Sequence, residues 1–189
     1  MSHDAFEDRR IALEEQFFLK HEEALIKRLR EAARHAATKE ELRHLTGIAN
    51  EQVLDALAGL QVPGGAAVLV MSVFPLVEVA WADGAPDERE RAAILQLAGS
   101  IGLTAASPGH EYLDTWLQEK PDLSWHTLWA GYVQELVKRL QPDDVSLLKA
   151  TVLGRARVVA EASGGFLGLA WRVSEAEAAV LKKLELAFG

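Results

Sequence analysis

Val79-Ala80-Trp81-Ala82-Asp83-Gly84-Ala85-Pro86-Asp87-Glu88-Arg89-Glu90 is the stretch on which the reading of this chain turns. An apolar helix ends at Gly84, and Asp87 with Glu90 forms a capping box that opens the next helix. That helix is expected to run to about Ile101 and to close at Gly102. Val159-Ala160-Glu161-Ala162-Ser163-Gly164 repeats the helix end, and Ser174-Glu175-Ala176-Glu177 repeats the capping box. Counted from the caps, Glu90, Ile94, Leu97, Ile101 and Gly102 correspond to Glu177, Leu181, Leu184, Phe188 and Gly189. The second copy carries a longer loop, Gly165 to Val173. Such a repeat predicts two helical hairpins packed with pseudo-symmetry around a shared core.

Working outward, the chemistry of the rest is helical too. Residues 4–37 hold neither glycine nor proline, and Ile11, Phe18, Leu25 and Ala32 recur every seven residues beside Phe17 and Leu29. This predicts an amphipathic helix of roughly 50 Å. Thr38 and Glu41 form a further capping box, Gly47 a C-cap, and Asn50 the cap of a helix to about Leu60. Pro63-Gly64-Gly65 reads as the clearest boundary. It divides the chain into a helical arm, residues 1–62, and a bundle, residues 63–189. Helices are expected over 66–82 (kinked near Pro75), 108–118, 124–140 and 142–162. No segment alternates as a strand does. The fold class is all-α.

Composition bounds the function. Half of the residues are hydrophobic (49%) and a quarter charged (25%), the balance of a globular chain. The net charge of -8, with no basic block, argues against nucleic acid as a partner. The absence of cysteine removes thiolate metal sites and cysteine nucleophiles and fits a reducing, cytoplasmic setting. The most apolar stretch, Ala66 to Val77, is shorter than the ~20 residues that span a bilayer. Membrane insertion is therefore not expected.

The segment from Val79 to Glu90, with its second copy, resembles the tellurite-resistance TerB-like family. The resemblance covers roughly residues 66–189 and implies a duplicated all-helical fold, a place in bacterial stress or metal resistance, and metal binding by the acidic loop. Ser163 stands where the second aspartate of that pattern would be, which counts against a symmetric pair of metal sites. Residues Phe6 to Phe17 with His21-Glu22-Glu23 also resemble the start of the ATP-synthase-inhibiting zeta subunit of alpha-proteobacteria. That likeness implies a helix able to insert into a partner.

Candidate sites follow. Asp83, Asp87, Glu88 and Glu90 crowd one turn and would suit calcium or magnesium if their oxygens converged. The competing reading is that Asp87 and Glu90 cap the helix and Asp83 steadies the turn. The six histidines are scattered, and Glu41-x-x-His44 lacks the second motif that a di-iron site requires. Gly164 to Gly168 lacks the Lys-Ser/Thr of a phosphate loop. Trp116, Trp125, Trp129 and Tyr112 are expected in the core. No Ser–His–acid arrangement stands out, so a non-enzymatic binding or scaffold protein is expected. Its contacts would come from Phe17, Phe18 and Leu25 on the first helix and from Phe166, Leu167 and Trp171 in the late loop. A divalent-cation protein and an inhibitor acting through the first helix are the alternatives, and the amphipathic first helix also suits pairing with a second copy.

Overall fold

A computed structural model describes residues 37–163 and 173–189. Among these residues every regular element is a helix: α1 Lys39–Thr46, α2 Glu51–Ala58, α3 Gly64–Ala80, α4 Glu88–Ser100, α5 His110–Gln118, α6 Leu123–Val137, α7 Pro142–Ser163 and α8 Glu175–Leu186. The expected first helix and the loop 164–172 lie outside the described residues. No described helix is long and apolar enough to cross a membrane.

Several of the helices start where a side chain satisfies their orphan N–H groups. Reciprocal capping boxes stand at Thr38/Glu41, Asp87/Glu90 and Ser174/Glu177, and Asn50 accepts from Gln52 and Val53. Gly47 ends α1 in the left-handed region at φ 72°, its N–H on the Arg43 carbonyl. Gly102 and Gly189, matched in sequence, take φ 94° and 95° after α4 and α8.

Helix α3 is the centre. Its apolar residues face neighbours on nearly every side, and it packs against α1, α2, α4, α5, α6, α7 and α8. Pro75 lies inside it without ending it. Helix α7 covers α3 and α4, and α8 lies on α3 and α7. The tryptophans join this core as expected: Trp116 meets Phe74 edge-on at 5.7 Å, and Trp129 contacts Phe74 and Phe188 at 6.4 and 6.2 Å. Tyr112 and Trp125 are half-buried against Trp116.

The expected boundary at 62/63 is not where the chain divides. Ala36–Gly189 form one unit, and Leu42, Ile48, Leu54, Leu57, Leu60 and Val62 belong to the same core as α3. Pro63-Gly64-Gly65 is not a linker, because Pro63 is the N-cap of α3 and the two glycines are its first turn. A Cβ on Gly64 would lie 3.1 Å from Leu45 Cδ2, so the glycine allows α1 to sit against the start of α3. The Tyr112 hydroxyl donates to the Leu60 carbonyl at 2.8 Å and ties α5 to the same segment.

Candidate functional site

The two matched capping boxes differ from the first in one respect: their glutamates are buried. Glu90 and Glu177 are 3% and 1% exposed, whereas Glu41 lies at an exposed cap. The cause is helical phase. Glu90 precedes Ile94 and Leu97 by four and seven residues, and Glu177 precedes Leu181 and Leu184 by the same steps, so each glutamate shares the core face. Glu90 Oε2 accepts the Asp87 backbone N–H at 2.8 Å, and Glu177 Oε2 accepts that of Ser174 at 2.6 Å. The other oxygen of each, Oε1, is buried without a hydrogen-bond partner, and these two are the only such side-chain atoms among the described residues. Glu135, the third buried polar residue, is instead held below the usual carboxylate range by Lys138.

Burial raises the Glu90 carboxyl from 4.5 to about 7. The backbone bond to Asp87 opposes the rise, while the charges of Asp87, Glu177 and Asp83 add to it. Of these charges, Glu177 belongs to the first turn of α8, and the other two belong to the turn before α4.

The acidic loop expected to gather a cation is arranged as a cap. Asp83, Asp87 and Glu88 point to solvent, and Asp87 Oδ1 is occupied by the N–H groups of Arg89 and Glu90. Among the described residues no three of His, Asp and Glu are grouped to hold a metal ion. Asp87 and Glu90 meet each other, and the structure does not bring Asp83 and Glu88 into the same set. The candidate contact residues Phe17, Phe18, Leu25, Phe166, Leu167 and Trp171 lie outside the described residues.

Three features escaped the sequence reading. Glu78 of α3 accepts from His126 Nδ1 of α6 and from Lys183 Nζ of α8, both at 2.9 Å, and pins three helices with one carboxylate. A cavity of about 440 Å³ opens between α7 and α8, lined by apolar Leu153, Val173 and Leu181 and by Arg157, Glu161 and Lys182 of mixed sign. The third is the outer face of α7, where Leu147 and Val158 are 68% and 52% exposed and Ala150, Thr151 and Gly154 lie between them in solvent. Steps of four, three and four from Leu147 through Thr151 and Gly154 to Val158 make one stripe, a pattern that was legible in the sequence. Between Asp144 and Arg157 the helix has two charges, and neither interrupts the stripe. Lys149 reaches Glu185 of α8 at 2.9 Å, and Arg155 is half-buried.

No protein-family model, no curated protein and no solved structure matches the chain.

Proposed function

We propose that this chain is a non-enzymatic binding and scaffold module acting through protein contacts, with the outer face of α7 as its contact surface. The observation that carries this reading is Gly154. Glycine inside an exposed helix costs about 1 kcal/mol relative to alanine, and a Cβ at Gly154 would meet nothing within 4 Å. Nothing inside the described chain requires the glycine. A close-approaching backbone from outside would. Flanked by Leu147 and Val158, with Thr151 and Gly154 and no charged residue on the stripe between them, the face fits an apolar helix of a partner protein packed backbone to backbone. The resemblance of residues 79–90 to the TerB-like family supports placing that partnership in a stress or metal-resistance response. The inhibitor reading rests on residues outside those described, and the divalent-cation reading has no grouped ligand set behind it among the described residues.

A photo-crosslinking residue at position 147, in the full chain expressed in its own cells, is expected to trap a protein partner. The same residue at Leu123, 82% exposed on α6, should not. Equal trapping at both positions, or none at 147, would overturn the proposal. Gly154→Ala is expected to raise the stability of the isolated protein by about 0.5–1 kcal/mol in urea denaturation. It should also reduce trapping at 147. A stabilised variant that is trapped as well as the parent would remove the case for close approach.

A further inference from the structure

We infer that the cavity between α7 and α8 is a binding site for a small amphipathic carboxylate, its hydrocarbon chain along the seam of the two helices and its head group on Arg157 and Lys182. The site lies on a different face of α7 from the stripe of Leu147, Thr151, Gly154 and Val158. Helix α7 supplies Leu153, Arg157 and Glu161 at steps of four, which places them along one side of the helix. Helix α8 supplies Ala178, Leu181 and Lys182. Lys149, in the first half of α7, pairs with Glu185 in the last turn of α8 at 2.9 Å, while Glu161 and Val173 line the other end of the same cavity. The two helices therefore run antiparallel. One turn on from the ion pair Leu153 comes level with Leu181, and a turn further Arg157 comes level with Ala178. Alanine has nothing beyond its Cβ to fill the seam there, and the cavity of about 440 Å³ is within the range of small-molecule sites. Its floor is apolar, with Leu181 buried and Leu153 and Val173 half-buried.

Charge decides the class of ligand. Glu185 is committed to Lys149, which holds its carboxyl below the usual carboxylate range. Arg157 and Lys182, on opposite walls, form no ion pair or hydrogen bond among the described residues, and neither does Glu161. Two uncommitted cations thus stand against one uncommitted carboxylate, a local positive surplus in a chain of net charge -8. That surplus selects an anion. Both cationic side chains are exposed, so their stems cover the apolar walls and their heads stay at the rim in water. The planar fork of Arg157 suits a carboxylate, and Lys182 adds a second charge from the other wall. Glu161 repels an anionic head from the Val173 end and so sets the direction of the chain. From Leu153 to Glu161 the helix rises about 12 Å at 1.5 Å per residue, the length of an extended medium-chain carboxylate such as decanoate.

The test is calorimetric titration of the full-length protein with decanoate below its micelle concentration, with decyltrimethylammonium as the control of the same chain and opposite charge. Decanoate is expected to bind with a Kd below about 1 mM. The cation should bind at least about tenfold more weakly, although non-specific adsorption to an acidic protein would favour it. Arg157→Gln and Lys182→Gln should each weaken decanoate by about fivefold or more. Ala178→Leu fills the seam from an exposed position with a residue that favours helix, and should abolish binding while the urea midpoint stays near that of the parent. If that variant folds poorly, the two charge variants read the site by themselves. No heat with millimolar decanoate would overturn the proposal and leave the groove to a side chain of a protein partner. Equal affinity for the two amphiphiles, or decanoate binding undiminished in a folded Ala178→Leu, would overturn it as well.

Discussion

Trp129→Ala is expected to lower the stability of this protein by about 3–5 kcal/mol, the range for removing a large aromatic side chain from a packed core. Trp129 is 2% exposed on α6 and contacts Phe74 of α3, His126 one turn back, and Phe188 beyond the end of α8. Its loss opens a void where three segments distant in sequence converge. A domain of ordinary stability has about 5–15 kcal/mol in total, so the variant should unfold at far lower urea and show weakened near-ultraviolet dichroism. Trp125, half-buried beside Trp116 and Tyr112, is the internal comparison, and its alanine variant should lose distinctly less. Equal losses at the two positions would mean that Trp129 is not the centre of the packing.

What the sequence made legible was local. Each capping box expected from a Ser, Thr or Asp with a glutamate three residues on is present, because both partners lie within one turn and need no tertiary contact to find each other. Helix ends at Gly47 and Gly102 are legible for the same reason, since glycine enters the left-handed region at no steric cost. The boundary at Pro63 was misread because turn chemistry and helix-start chemistry share residues. Proline before a first helical turn caps it as readily as it breaks a chain, and only the packing of Leu42 and Leu45 beside Gly64 distinguishes the two. Helix α5 starts at His110 rather than Pro108 because Gly109, at φ 85°, lies outside helical space. Helix α6 ends at Val137 and not at Leu140, with a turn closed by the Arg139 N–H on the Leu136 carbonyl.

The site was less legible. Four carboxylates in one turn suggest a metal until burial separates them, leaving Asp83, Asp87 and Glu88 in water and Glu90 in the core. That separation could be read from the four- and seven-residue steps to Ile94 and Leu97. The contribution of the Glu177 charge to the rise at Glu90 could not, because it depends on how α8 meets the rest of the bundle. The Glu78, His126 and Lys183 contact is hidden for the same reason, its members coming from α3, α6 and α8. The outer face of α7 was visible as a spacing, but a stripe on a helix is a core face or a contact face depending on which side the bundle covers. Here Ala156, Val159 and Ala160 take the core, and Leu147 and Val158 remain outside.

Glu90→Gln should change how stability depends on pH more than it changes stability at any acid pH. The Glu90 carboxyl is raised from 4.5 to about 7 on folding. A group raised in this way contributes stability that is complete below pH 4.5 and is lost as pH climbs through 7, because the folded protein must then surrender a proton that it holds more tightly than the unfolded chain does. At 1.36 kcal/mol per unit, that shift corresponds to about 3 kcal/mol between the two limits. Glutamine keeps the acceptor for the Asp87 N–H, carries amide donors in place of the second oxygen, and cannot ionise. Below pH 4.5 the variant and the parent should therefore agree within about 1 kcal/mol. By pH 8 the variant should be the more stable, by up to about 3 kcal/mol. Urea denaturation of both proteins from pH 4 to 8.5 gives the difference directly, and subtracting the two profiles cancels the titration of every carboxylate they share. A flat difference would mean that Glu90 ionises in the folded protein as it does in the unfolded chain. A difference that grows between pH 4.5 and 7 and then levels would place the proton on the buried glutamate that closes the cap of α4.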